Sequence, residues 1–158
     1  MPLFSGSVSD AGLVTPAHVL LAILREEDVV DENGASGATW PAFLGHEPDS
    51  PDQTVTAYDY GGMKDGRLMS GEVVVHPSVQ VRVRGAQAEG YTQAYAKAKA
   101  VQTVFSQVHN RSVTVWGQTF EVAAISQFGP PLFLGVETVG TKRRNTWTVN
   151  FQVTLKEG

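Results

Sequence analysis

Hydrophobic and polar positions alternate most cleanly at the end of the chain. Trp147, Val149, Phe151, Val153 and Leu155 interleave with Thr146, Thr148, Asn150, Gln152 and Thr154, the period of two expected of a strand with one buried and one polar face. Residues 72–84 repeat the pattern, with Val79, Val81 and Val83 on one face and Gln80, Arg82 and Arg84 on the other. Pro77 cannot donate a ladder hydrogen bond, so this strand is expected to begin at Ser78 or to lie at a sheet edge near Pro77. Gly85 is expected to end it. The period then changes. Over residues 88–108, Tyr91, Ala94, Tyr95, Ala98, Val101, Phe105 and Val108 step by three or four, one apolar stripe along a long helix. Lys97, Lys99, Gln102 and Gln107 take the other side, and alanines at 94, 96, 98 and 100 permit close approach to a sheet.

The remaining elements are shorter. Thr15-Pro16 is a good helix start, a hydroxyl at the N-cap followed by proline at the first helical position. Leu20, Leu21, Ile23 and Leu24 follow, then an acidic run over residues 26–32 that opposes the helix dipole and is expected to be solvated. Trp40-Pro41-Ala42-Phe43-Leu44 reads as a short apolar strand, residues 48–52 as a polar loop, and residues 54–58 as a strand. Gly61-Gly62 and Asp65-Gly66 mark residues 59–71 as an exposed loop. Residues 112–116 and 119–125 flank Gly117-Gln118, a two-residue hairpin turn. Gly129-Pro130-Pro131 interrupts the chain before another strand at 132–137, and residues 140–144 read as a basic turn. This order predicts an α+β fold, a two-layer structure whose mostly antiparallel sheet carries the long helix and the shorter N-terminal helix on one face. Residues 1–14 are expected to be a flexible N-terminal arm, and 15–158 a single domain.

Composition narrows the functional classes. Of 158 residues, 12 are Lys or Arg and 16 are Asp or Glu, a net charge of −4, which disfavours indiscriminate binding to nucleic acid or anionic membrane. Cysteine is absent, so disulfides, thiolate catalysis and zinc–sulfur sites are excluded. No apolar run approaches the roughly 20 residues of a membrane helix, and the first residues lack the pattern of a signal peptide. His18, His46, His76 and His109 are not spaced as metal ligands, and His18 and His109 are expected at the surface. Neither a GxSxG elbow nor a phosphate-cradling glycine motif occurs, so no cofactor is expected. One histidine–carboxylate pairing, His76 with Asp59 across neighbouring strands, leaves open a small α+β enzyme or ligand-binding domain.

Charge placement suggests an interaction protein instead. Arg82 and Arg84 leave one strand on the face opposite the valines and are expected to be exposed there, where arginine's planar fork of donors suits an interface. Reversing both charges should then leave the fold intact. Lys142, Arg143 and Arg144 form a second basic spot, and Glu26, Glu27 and Asp28 an acidic one. Opposite patches on one small domain permit head-to-tail contacts that close into a ring.

The order of signatures along residues 15–156 is familiar. An amphipathic helix leads to Trp40-Pro41-Ala42-Phe43-Leu44, then Pro48-Asp49-Ser50-Pro51-Asp52-Gln53-Thr54-Val55 and Tyr58-Asp59-Tyr60-Gly61-Gly62. His76-Pro77-Ser78-Val79-Gln80-Val81-Arg82-Val83-Arg84-Gly85 precedes a helix bearing Tyr91 and Ala94-Tyr95, and Arg144-Asn145-Thr146-Trp147-Thr148-Val149-Asn150-Phe151 closes the last strand. Together these resemble the tail terminator (minor capsid or tail completion) proteins of long-tailed bacteriophages. The resemblance implies a non-enzymatic virion protein, assembled in the host cytoplasm into a ring, usually a hexamer, at the head-proximal end of the tail. It implies contacts with the tail tube protein and the head–tail connector or stopper protein, DNA passing through the lumen without specific binding, and no membrane partner. Arg82, Arg84, the basic turn, the acidic run and the loops at 46–53 and 61–70 are the expected contact residues. A head-side connector or a tube subunit is the alternative within the same biology.

Overall fold

The computed structural model describes residues 14–31, 40–67, 73–86, 90–140 and 142–157. Most of the expected N-terminal arm therefore lies outside the described residues. In chain order the elements are α1 (Pro16–Glu26), β1 (Ala42–Leu44), β2 (Thr54–Arg67), β3 (Val73–Ala86), α2 (Gly90–Ser106), β4 (His109–Val115), β5 (Gln118–Gln127), β6 (Leu132–Val139) and β7 (Lys142–Glu157). The strands form one sheet in the order β1-β2-β3-β7-β5-β4, with β6 also paired to β7. β1 runs parallel to β2, and every other pairing is antiparallel. The α+β expectation holds.

β7 is the spine of the sheet. β3 lies along one of its edges, while β6 and β5 share the other, β6 from Lys142 to Thr148 and β5 from Phe151 to Lys156. Val79, Val81 and Val83 stand opposite Phe151, Val149 and Trp147, so two period-two patterns meet in register and make one apolar face. α2 lays Ala94, Ala98, Val101 and Phe105 on that face, the Phe105 ring meeting Phe151 edge-on at 4.8 Å. Tyr91 and Tyr95, expected in the buried stripe, are partly exposed, and both rings lie against Trp147. Gln102, expected on the polar side, is buried. α1 touches β1, β2, β3 and β4, and its residues 17–24 are all buried. A helix apolar all round must be enclosed, and the sheet curls about it.

The sheet departs from expectation in several places, each with a local cause. β3 runs straight through Pro77 although it is an interior strand, because Pro77 faces Gly62 at a register shift in β2 between Asp59 and Gly62. A bulge tolerates a residue that cannot donate. The stretch expected to be a loop at 59–71 is strand as far as Arg67 and again from Val73. Its glycines are absorbed in bulges and do not end the strand. Of the 61–70 loop, residues 68–70 lie outside the described residues. The β4–β5 turn is Trp116-Gly117, one residue earlier than expected, with Val115 paired to Gln118. Both turn residues have positive φ, 50° and 79°, the type I′ geometry that suits the twist of a hairpin. Val139 pairs with Lys142, so Arg143 and Arg144 belong to a strand, not a turn. Finally, β3 extends one residue past Gly85 to Ala86, and α2 begins against it. A Cβ on Gly85 would lie 2.4 Å from the Gly90 carbonyl oxygen, a contact only glycine permits.

Candidate functional site

The second face of the sheet is where the expected arginines lie. Gln80, Arg82 and Arg84 of β3 stand opposite Asn150, Thr148 and Thr146 of β7. Arg82 is partly exposed, as expected. Its Nε donates to Gln80 Oε1 at 3.1 Å, its guanidinium lies 5.2 Å from the centre of the Tyr58 ring, and Glu47 is 3.8 Å away. Arg84 is not exposed. At 3 % relative exposure it is sealed beneath residues 45–53, which fold back across the sheet.

Two arginines hold that loop down. Arg84 donates through Nε to the Asp52 carbonyl at 2.7 Å and through one terminal nitrogen to the Pro48 and Pro51 carbonyls, each at 2.6 Å. Arg144, 5 % exposed, donates through Nε to Asp52 Oδ1 at 2.9 Å and also reaches the Asp49 carbonyl. A guanidinium carries five donors in a rigid fork, so one side chain can satisfy several carbonyls of an irregular segment. Burial lowers the Arg84 pKa; Glu47, 3.6 Å away, acts in the opposite direction. The exposed-face expectation is therefore corrected for Arg84 and for Arg144. Both are internal braces, and reversing the Arg84 charge would break the loop's support. What the braces present to solvent is His46, Asp49, Ser50 and Pro51. A recess of about 250 Å³ separates Glu47 and Arg82 from β6.

The acidic spot is real and partly neutralised. Glu26 and Glu27 are exposed at the end of α1, and both accept from Arg111 of β4, at 2.6 Å and 2.9 Å. Burial alone would lower the Arg111 pKa, but the bonds to the two glutamates outweigh it and the pKa is raised. Asp28 follows in the left-handed region, φ 57°. On the basic side Arg143 is exposed at the β6–β7 hairpin, and the Lys142 side chain lies outside the described residues.

Asp59 and His76 are not brought together. Asp59 Oδ1 accepts from the Ala17 N–H at 2.9 Å, serving from β2 as a cap for α1, and His76 Nδ1 lies 3.1 Å from Thr154 Oγ1. His18, expected at the surface, is 9 % exposed. Its Nδ1 accepts the Thr15 N–H at 3.2 Å, and its ring lies 4.9 Å from that of Trp116. Accepting an N–H requires a lone pair on Nδ1, so the ring is neutral. Burial lowers its pKa, with Asp59 partly offsetting the effect. His109 is exposed as expected, although it opens β4 and does not close α2. Among the described residues no group of three or more His, Asp or Glu could hold a metal ion, and no helix is long and apolar enough to cross a membrane.

One exposed strand was not anticipated. β6 pairs only with β7 among the described residues, and along it Leu132, Leu134 and Val136 are 59 %, 48 % and 52 % exposed. Soluble proteins usually blunt an open edge with charge. β4, the outer strand of the main path, does so with His109, Asn110, Ser112 and Thr114 exposed around Arg111. β6 does not. The signal in the sequence was the spacing of Leu132, Leu134 and Val136, which marks a strand but not which of its edges stays open.

A family model described as bacteriophage tail terminator protein matches residues 8–157. No curated protein matches the chain. Among solved structures, a chain from the virion of a native gene transfer agent particle is similar over 97 % of this chain and 100 % of its own, with 15 % identity and a TM-score of 0.45. A second solved chain is similar over 88 % of this chain and 96 % of its own, with 15 % identity and a TM-score of 0.41.

Proposed function

Because this chain belongs to the bacteriophage tail terminator family, and is thus a structural protein of the phage tail, we propose that it forms a closed ring on the head-proximal end of the tail tube. The family match across nearly the whole chain carries this reading. Each layer of a growing tube offers the next the same heterologous surface, so growth ends only when a ring matches that surface below and offers a different one above. The upper surface then receives the head–tail connector or stopper protein, and DNA crosses the lumen without specific binding, consistent with a chain of net charge −4. Six copies is the expected number. The work is done by shape, without bond-making.

Within this reading the rigidly braced loop at residues 45–53 and the neighbouring Arg82 form one contact surface. A loop pre-ordered by Arg84 and Arg144 loses little entropy on docking. Arg143 and the Glu26, Glu27 and Asp28 corner are further contact residues. The test is electron microscopy of particles from a phage lacking this gene. Tails of uncontrolled length, unattached to heads and restored to normal length by the supplied protein, are expected. Tails of normal length in its absence overturn the reading, as do purified subunits that stack into long tubes unaided, which a tube protein would do.

A further inference from the structure

Between α2 and the residues that lead into β1 and β2 lies a groove of about 430 Å³, lined by Trp40, Gln53, Gln93, Ala96, Lys97 and Ala100. Ala96 and Ala100 are one helical turn apart, and their small side chains leave the half-buried Trp40 ring open to an occupant. The charged group of the groove is already engaged. Lys97 Nζ donates to the Val29 carbonyl at 2.9 Å and lies 5.3 Å from the centre of the Trp40 ring. What remains is an apolar surface edged by two amides, which suits a neutral, apolar segment better than an anion.

The chain itself holds such a segment. Residues 2–4 are Pro-Leu-Phe, and residues 5–12 read Ser-Gly-Ser-Val-Ser-Asp-Ala-Gly, an apolar anchor on a tether of linker composition. Asp10 is the one charged side chain in residues 1–13. Of the other segments outside the described residues, 32–39 and 87–89 carry no large apolar side chain. Leu68 and Met69 follow the far end of β2, a strand of 14 residues and about 46 Å that starts beside the groove. The reach also fits. Val14 packs against the core ahead of α1, an 11-residue helix about 16 Å long. Val29, whose carbonyl holds Lys97, turns back on the end of that helix, its N–H bonded to the Leu24 carbonyl at 2.9 Å. The groove is thus on the order of 20 Å from Val14. Ten residues of Gly/Ser-rich chain have a root-mean-square length of about 16–19 Å, and a tether is most effective when its length matches the span.

We infer that Leu3 and Phe4 dock in the groove between Trp40 and α2 of their own copy, packing on Trp40, Ala96 and Ala100. The contact is made within one subunit and stands apart from the ring reading above. Both anchor residues precede the stretch 8–157 matched by the family model, so the strap is an addition to the matched domain. It takes out of water an apolar patch that would otherwise be open to other proteins before assembly. Ordering the tether offsets much of the gain from burial, so the strap opens and closes and does not lock.

The chain contains no cysteine, so an introduced pair reports proximity without background. Ser5→Cys with Gln93→Cys, an exposed position on the rim of the groove, leaves the anchor and the alanines intact. Ser5→Cys with Gln118→Cys is the comparison: Gln118 is exposed near Trp116, whose ring meets His18 in the first turn of α1, close to the root of the tether. Dilute purified protein is treated with a short bismaleimide and the linked peptides are quantified by mass spectrometry. The internal 5–93 link is expected in at least fivefold higher yield than the 5–118 link. A yield for 5–118 that equals or exceeds it would overturn the inference, and covalent dimers in place of the internal link would replace it with exchange of arms between copies. Cleavage after Phe4 by chymotrypsin gives a readout without cysteine. It should run at least threefold faster in Ala96→Glu, whose side chain occupies the groove, than in the wild type, with the far-ultraviolet circular dichroism unchanged. Equal rates would overturn the inference. Neither measurement depends on tail length, so the ring reading stands or falls separately.

Discussion

His18 makes the fold sensitive to acid. Its Nδ1 is committed as an acceptor to the Thr15 N–H beside the positive end of α1, and burial holds its pKa below the ordinary value near 6.5. The folded state therefore prefers the neutral ring. Stability from this group is full above pH 6.5 and is lost as pH falls from there toward the lowered folded pKa, where the unfolded chain takes up the proton first. Melting temperatures measured from pH 8 to pH 5 should fall more steeply for the wild type than for His18→Asn, and parallel curves would exclude this role. Gly85→Ala tests a different constraint. Its Cβ would meet the Gly90 backbone, which cannot swing aside as a side chain can, so a loss of about 2 kcal/mol or more is expected from the shift in denaturant midpoint. Arg84→Met should cost about 3 kcal/mol, since it strips three loop carbonyls and Glu47 of their buried partner.

At the scale of elements, what the sequence disclosed was what local pattern determines. β7 and the core of β3 were legible because their alternation is written in consecutive residues, and α2 because its stripe spans five turns. The braced loop was not legible, since Arg84 reaches carbonyls 32 to 36 residues away and Arg144 reaches Asp52 across 92. An arginine on a polar face looks the same in sequence whether water or a returning loop covers it. The β2–β3 arm was missed because glycines that usually end a strand here occupy bulges, where pairing resumes one residue later. The surface position of Tyr91 and Tyr95 depends on Trp147, whose indole N–H donates to the Tyr91 carbonyl at 3.1 Å and whose ring also meets Phe133. Trp147→Ala removes the joint between α2, β6 and β7 and should cost about 4 kcal/mol, measured by chemical denaturation.

For the whole molecule, Arg82 is the residue at which the proposed assembly role can be tested apart from folding. It is the partly exposed member of the β3 pair, and its ion pair with Glu47 is long and solvent-screened. Arg82→Glu is expected to leave the melting temperature within a degree or two while impairing tail-length control in complementation; a variant that complements fully would remove Arg82 from the contact surface. β7 adds a mechanical consequence. Its 16 residues form one extended backbone of about 54 Å, with β6 hung from one end and β5 from the other. Tension drawn along β6 passes through the β6–β7 ladder to the β7–β3 ladder, both loaded in shear so that many hydrogen bonds share it at once, whereas a pull across the sheet opens them one after another like a zip. The subunit is thus stiffest along the direction in which its longest strand runs.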